Sequence, residues 1–355
     1  MAVEVLENLA KFPHCILLTR VGQFYEVWLI EVIDVISIFT NIPQSYFDQA
    51  TEVARLLDIK LTSRRWGGGA IAFCGFPLKH LNKHLKTLVQ DQKRFVAMCE
   101  EFPKPRSPDS SKVCFERRVT RIVTPGTLID EPFLNQFENN YLLAVSTASS
   151  TLNEGSDFVG ELGLAWIDIS TGEFFAKRIA AKHLRDELVR IGPKEIVLEQ
   201  QLFHNPQHPL RQLISEERLF TSYISSTPPP SETLIVEQTG SDDLSSQTDP
   251  SAALLKIELS PEESQAVQLL TTFLHTNLIE HMPRLPSPSR EAIAGRMQID
   301  AYTIKSLEIR EGIREGGTAG CLLSVIKRTV TSSGTRLLAR WLCKFVPPLR
   351  VASLT

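Results

Sequence analysis

A chain of 355 residues with 43% hydrophobic and 22% charged side chains has an ordinary globular composition, long enough for two or three domains of about 100–200 residues each. Its formal net charge of −3 weighs against a uniformly basic nucleic-acid module, whose affinity comes from neutralising phosphates, but leaves room for a local basic face. The six cysteines (Cys15, Cys74, Cys99, Cys114, Cys321, Cys343) contain no Cys-x-x-Cys pair, so neither a zinc site nor a disulfide framework is suggested and reduced thiols are the simplest reading.

Residues 1–10 show neither a secretory pattern nor an Arg-rich transit pattern. No apolar run reaches the ~20 residues that span a bilayer; the longest, 27–42, is interrupted by Glu31 and Asp34. Residues 15–18 read as a strand entering Gly22. Residues 45–58 and 78–92 carry helical apolar stripes, and 95–99 is a short strand. This alternation predicts a small α/β domain over 1–103. The Pro- and Ser-rich stretch 102–112 reads as a linker. Strands come next at 118–123, 141–145, 162–169 and 173–179, the last two joined by a Ser170-Thr171-Gly172 turn. A helix at 184–191 ends at Gly192-Pro193, and 195–198 is a further strand, giving a second α/β domain over 112–235. A second linker or long loop spans 227–251. Ser260, Pro261 and Glu263 then form a capping box that opens a helix running to about residue 281. Further helices are expected from 300 to 345, so an all-α region is predicted from 252.

The phosphate-cradling pattern Gly-x-x-x-x-Gly-Lys-Ser/Thr is absent, and Gly67-Gly68-Gly69 without a following Lys reads as a turn. His80/His84 and His204/His208 stand four apart but lack a third ligand, so surface or capping roles are the better reading. Asp168, near Asp157 and Glu173, could hold Mg²⁺ for phosphodiester cleavage. The plainer alternative is that Asp168 opens the turn by accepting backbone N–H bonds. The clusters Ser63-Arg64-Arg65-Trp66 and Lys79-His80-Leu81-Asn82-Lys83 offer phosphate contacts through Arg64, Arg65, Lys79 and Lys83, or else are solvated faces. Gly22-Gln23-Phe24-Tyr25-Glu26 is the sharpest constellation. Phe24 and Glu26, two apart on a strand, share a face. Such an aromatic can wedge into a base step while the carboxyl group addresses a base edge; taken alone, a core Phe and a surface Glu is the commoner pattern.

Read together, the segments resemble the MutS family of DNA mismatch-repair proteins. Arg20-Val21-Gly22-Gln23-Phe24-Tyr25-Glu26 resembles the family's mismatch-reading motif, and residues 54–63 resemble the stretch downstream of that motif in the same domain. Residues 121–127 and 168–174 are similar to connector-domain signatures, and 297–308 with 335–342 to the opening of the helical lever. The resemblance implies a multidomain α/β fold. Residues 1–103 would be the mismatch-binding domain, with Phe24 the stacking wedge and Glu26 the base-contacting acid; Arg20 beside them is a further candidate backbone contact. Residues 112–235 would be a ribonuclease H-like connector without nuclease activity, and 252–343 the start of the lever. It implies binding to double-stranded DNA with mispairs or small loops. Dimerisation and ATP- and Mg²⁺-dependent hydrolysis are expected only of full-length members, so no catalytic residue, cofactor or metal is expected in this chain. The stretches 102–105 and 17–20 look most like the fungal mitochondrial branch, which implies a mitochondrial location, with a nuclear one as the alternative. A partner-binding remnant that has lost DNA binding is the competing functional reading.

Three departures from the family pattern stand out. Gln23 occupies a common Asp position. Residues 27–44 form an atypical insertion between Glu26 and the Ser45-Tyr46-Phe47-Asp48 stretch that resembles the next helix start, and 344–355 form an atypical tail. Every Val codon begins with GT and one Gln codon is CAG, so 27–44 is readable as an unspliced intron. Cys343-Lys344-Phe345 can likewise encode a donor-like GTAAGT. A genuine lineage insertion is the rival.

Overall fold

The computed structural model describes residues 2–28, 49–66, 69–104, 115–129, 132–147, 160–225, 259–291, 299–312 and 318–343. Most of the 27–44 insertion, the whole 344–355 tail, Asp157, Cys114 and the 227–251 linker lie outside them.

The first α/β unit contains α1 (Ala2–Lys11), β1 (Ile16–Val21), β2 (Phe24–Trp28), α2 (Gln49–Leu57), β3 (Thr62–Trp66), β4 (Gly69–Pro77), α3 (Leu81–Leu85), β5 (Val96–Pro103) and β6 (Phe115–Val123). Its strands form one six-stranded sheet in the order β3-β4-β2-β1-β5-β6. The β1–β5 pair is parallel and the others are antiparallel. The period-2 alternation of β1 and β2 serves two cores. Leu18, Tyr25 and Val27 face α2 and the 78–91 helical segment, while Leu17 and Trp28 face the α1 side. The stripe expected as one helix over 78–92 is a 3₁₀ turn (Leu78–His80), then α3, then a π-helical segment (Lys86–Asp91). The change of pitch still buries Leu85, Leu88 and Val89 in one core.

Two expected boundaries move. β6 pairs along its whole length with β5, so the first unit does not end at 103 but continues to the turn after Val123. Val27 and Trp28, expected to open the insertion, instead extend β2. They pair with Cys74 and Phe73 and are buried on opposite faces of the sheet.

The second unit is built from β7 (Leu142–Thr147), β8 (Glu161–Asp168), β9 (Glu173–Ala180), α4 (Leu184–Ile191), β10 (Glu195–Glu199), α5 (Gln200–His204), α6 (Pro209–Glu216), β11 (Thr221–Ile224), α7 (Pro261–Leu278) and β12 (Ser289–Arg290). The sheet order is β11-β10-β7-β8-β9-β12. β7, β8 and β9 form an antiparallel meander, and β10 and β11 add in parallel, a second α/β unit as expected. α4, α5 and α6 cover one face. α7 covers the other with Ala266, Leu269, Leu270, Phe273, Leu274 and Leu278. This overturns the reading of residues from 252 as the start of the lever: the capping box on Ser260 and Glu263 is present, but the helix it opens completes the second core. Among the described residues beyond it, the α-helices are α8 (Ala301–Ser306), α9 (Leu322–Ile326) and α10 (Ser332–Leu342). There Ile299, Ile304, Ile309 and Cys343 make a small core against Val189 of α4.

The units meet at a buried carboxylate. Glu195 accepts from Thr124 Oγ1 (2.5 Å), Gly126 N–H (2.8 Å) and Ser222 Oγ (2.5 Å), tying the loop after β6 to the second sheet. Phe95 and Phe220 add an edge-to-face contact at 5.6 Å.

Candidate functional site

The β1–β2 hairpin closes through a two-residue turn, Gly22-Gln23, with Val21 opposite Phe24. Gly22 has φ +60°, a left-handed conformation that a side chain disfavours and that matches the strand twist in tight hairpins. The turn is anchored from β5 and β6. Gly22 N–H donates to Glu101 Oε2 (2.9 Å), Arg117 Nε donates to the Arg20 carbonyl (3.2 Å), and Arg117 pairs with Glu101. On the opposite face Tyr25 donates to Glu100 Oε1 (2.5 Å), and Arg20 meets Oε2 of the same carboxylate at 3.2 Å. Leu78 N–H donates to the Gln23 carbonyl at 3.0 Å, so the helical turn bearing Lys79 starts beside the hairpin tip.

Phe24 is 47% exposed at that tip. Glu26, on the same face one pleat away, is only 5% exposed, where a solvent-facing carboxylate was the commoner expectation. Its strand neighbours are Thr19 and Gly75. Gly75 is required for this packing, since a Cβ there would stand 2.8 Å from the Tyr25 carbonyl oxygen and 3.2 Å from Glu26 Cγ. Glu26 Oε2 is buried without a hydrogen-bond partner, and Oε1 reaches Arg64 at 3.7 Å. Burial raises the Glu26 pKa above the ordinary carboxylate value, against the opposing pull of Arg64 and Arg117. A protonated carboxyl group can donate as well as accept, so this group can serve either a donor or an acceptor on a partner.

The expected backbone contacts are not one patch. Arg64 shares the Phe24–Glu26 face and lies over the rings of Phe73 (5.0 Å) and Trp28 (5.7 Å). Arg65, one residue on, points to the other face. Arg20 lies across from Tyr25, on the face away from Phe24, and is engaged by Glu100. Lys79 and Lys83 are exposed on the segment that follows β4. The supporting residues Gly75, Glu100, Glu101 and Arg117 were not anticipated. Their partners are distant in the chain, and no local spacing announces them.

Away from the hairpin, Asp168 is fully buried and accepts from Ser170 N–H (3.0 Å), Ser170 Oγ (2.6 Å), Asn140 N–H (3.0 Å) and Asn139 Nδ2 (3.1 Å). Oδ1 holds the β8–β9 turn, where Gly172 has φ +72°, and Oδ2 is taken by the 139–140 segment before β7. His208 Nδ1 caps α6 by accepting from Leu210 N–H (3.2 Å). His84 packs on Phe76 with ring centroids 4.4 Å apart. No group of three or more potential metal ligands occurs among the described residues.

Family models match the chain in three consecutive blocks: MutS domain I over residues 43–132, MutS domain II over 140–286 and MutS domain III over 302–350. The chain belongs to the MutS family. The domain I match begins beyond Phe24 and Glu26, at the far end of the insertion, and the domain II match includes α7. The DNA mismatch repair protein MutS of Rhodopseudomonas palustris is 33% identical over 344 residues, 96% of this chain and 34% of that protein. That of Nitrobacter winogradskyi is 33% identical over 347 residues, 96% and 35%. That of Bartonella henselae is 31% identical over 356 residues, 99% and 35%. The chain therefore spans about a third of the length of these MutS relatives.

Proposed function

We propose that this chain binds mismatched double-stranded DNA in mismatch repair, with the β1–β2 hairpin as the reading element, Phe24 as the wedge and Glu26 as the group that meets the exposed base edge. The observation that carries this reading is a half-exposed phenylalanine on a hairpin tip anchored by Glu101 and Arg117, one pleat from a buried carboxylate with an unpartnered oxygen. A rigid aromatic costs least to insert where pairing is already faulty. Lys79 and Lys83 supply phosphate contacts beside the tip.

Within residues 1–355 the role is binding rather than catalysis; ATP and Mg²⁺ are the expectation for full-length family members. The absence of a Gly-x-x-x-x-Gly-Lys-Ser/Thr sequence supports this. So does the full hydrogen bonding of Asp168, which leaves it no lone pair directed at a metal. Placement in the fungal mitochondrial branch, and in mitochondria, rests on the 102–105 and 17–20 stretches; cell fractionation tests it, and a purely nuclear signal contradicts it.

Equilibrium binding to duplexes that differ by one mispair tests the main reading. Wild type prefers the mispair, and Phe24→Ala loses roughly tenfold or more of that preference, since stacking on an aromatic contributes about 1–3 kcal/mol. A wild-type chain with no preference overturns it and favours the partner-binding remnant. That reading has its own observation, the exposed Val325, Val330 and Trp341 on and around α9 and α10.

A further inference from the structure

Arg64 is an unusual candidate for a phosphate contact, because its guanidinium already has a seat. Trp28 and Phe73, register partners on β2 and β4, stack at 4.8 Å with their planes 22° apart. Arg64 lies over both rings, 5.0 Å from Phe73 and 5.7 Å from Trp28, an arrangement in which the ring quadrupole attracts the cation. From that seat one nitrogen reaches Glu26 Oε1 at 3.7 Å. Arg117 on β6 also bears on Glu26, but it is committed to Glu101 on β5 and lies 3.9 Å from Glu4 on α1. Glu101 opposes it by repulsion. Thr19 on β1 and Gly75 on β4, the two strand neighbours, carry no charge. Among the described residues, Glu26 is the only carboxylate that Arg64 meets.

Building on the mismatch-reading role of the hairpin, we infer that Arg64 is a positioning residue which, held by the Trp28–Phe73 stack, orients Glu26 and sets whether it meets a base as an acceptor or as a donor. A carboxylate only accepts, whereas a carboxylic acid also donates. Removing the nearby cation leaves burial to favour the neutral acid, so Arg64 governs which base edges the hairpin tolerates.

The test uses the whole 355-residue chain in two measurements. The first needs no DNA: carbon NMR of labelled glutamate side chains, with the Glu26 signal assigned by its loss in Glu26→Gln. Arg64→Gln moves the Glu26 titration midpoint upward, and Arg64→Lys, which keeps the charge but not the planar seat, restores part of the shift. The second is the ratio of mispair to matched-duplex affinity between about pH 5 and 9. Its inflection moves upward in Arg64→Gln in step with the NMR midpoint. An unchanged Glu26 midpoint in Arg64→Gln overturns the inference. So does an unchanged inflection in a chain whose mispair preference Phe24→Ala still abolishes. If Phe24→Ala leaves the affinity ratio untouched, the hairpin is not the reader and that reading fails; the positioning role is then decided by the NMR midpoint alone.

Discussion

Glu26 shows how a motif residue acquires its chemistry from residues the motif does not contain. Phe24-Tyr25-Glu26 is legible because strand alternation puts residues 24 and 26 on one face. The burial and charge environment of Glu26 are not legible, because they depend on Gly75, Arg64 and Arg117, contributed by three other strands. Gly75→Ala therefore tests the packing. A Cβ 2.8 Å from a backbone oxygen forces β2 and β4 apart, which costs about 1–3 kcal/mol and lowers the urea midpoint; an unchanged midpoint contradicts the close approach. Phe24→Ala, by contrast, removes a half-exposed ring and should leave stability within about 0.5 kcal/mol, so its binding defect is separable from misfolding. Asp168 was readable from sequence as a turn residue or as a metal ligand; its two bonds from Ser170 favour the turn, and Asn139 and Asn140 occupy its other oxygen.

Among the elements, α7 is the one whose role the sequence hides most. Its start is written in the sequence by Ser260, Pro261 and Glu263. Which core it serves is not, because an apolar stripe does not name its partner. The deciding residue lies about a hundred positions earlier: at Gly163 of β8 a Cβ would fall 1.9 Å from the Glu262 carbonyl oxygen, so the first turn of α7 rests directly on the strand backbone. Gly163→Ala is expected to displace α7 and destabilise the second unit by about 1–3 kcal/mol or more, read as a lower urea midpoint with faster amide exchange in residues 266–278. Wild-type exchange there would contradict the packing. β2 bears in the same way on the insertion. Val27 and Trp28 are core residues of the sheet, and were the message to join Glu26 to Ser45, Ser45 and Tyr46 would fall opposite Cys74 and Phe73. Sequencing the mature message across these codons decides between the two.

At the scale of the whole molecule, the first and second units are joined through Glu195. Burial raises its pKa, against the pull of Ser222, Thr124 and Gly126. The folded protein then holds this proton to a higher pH than the unfolded chain. The stability from that proton is present below the unfolded value, about 4.3, and is lost as pH rises through the raised folded value. Glu195→Gln removes the titration, so its urea midpoint varies less with pH above about 4.3 than that of wild type; parallel profiles contradict the assignment. The order of the units was legible from scattered motifs. Their boundaries were not, because β6 and α7 each cross a compositional break to complete a sheet or a core. On the proposed function, the hairpin tip enters the duplex at a mispair. The most direct test of that entry is the emission of a fluorescent adenine analogue placed beside a single mispair, which brightens when unstacked. Wild type should brighten it, and Phe24→Ala should leave it dark at saturating protein. Equal brightening by both, or none by wild type, would contradict the account.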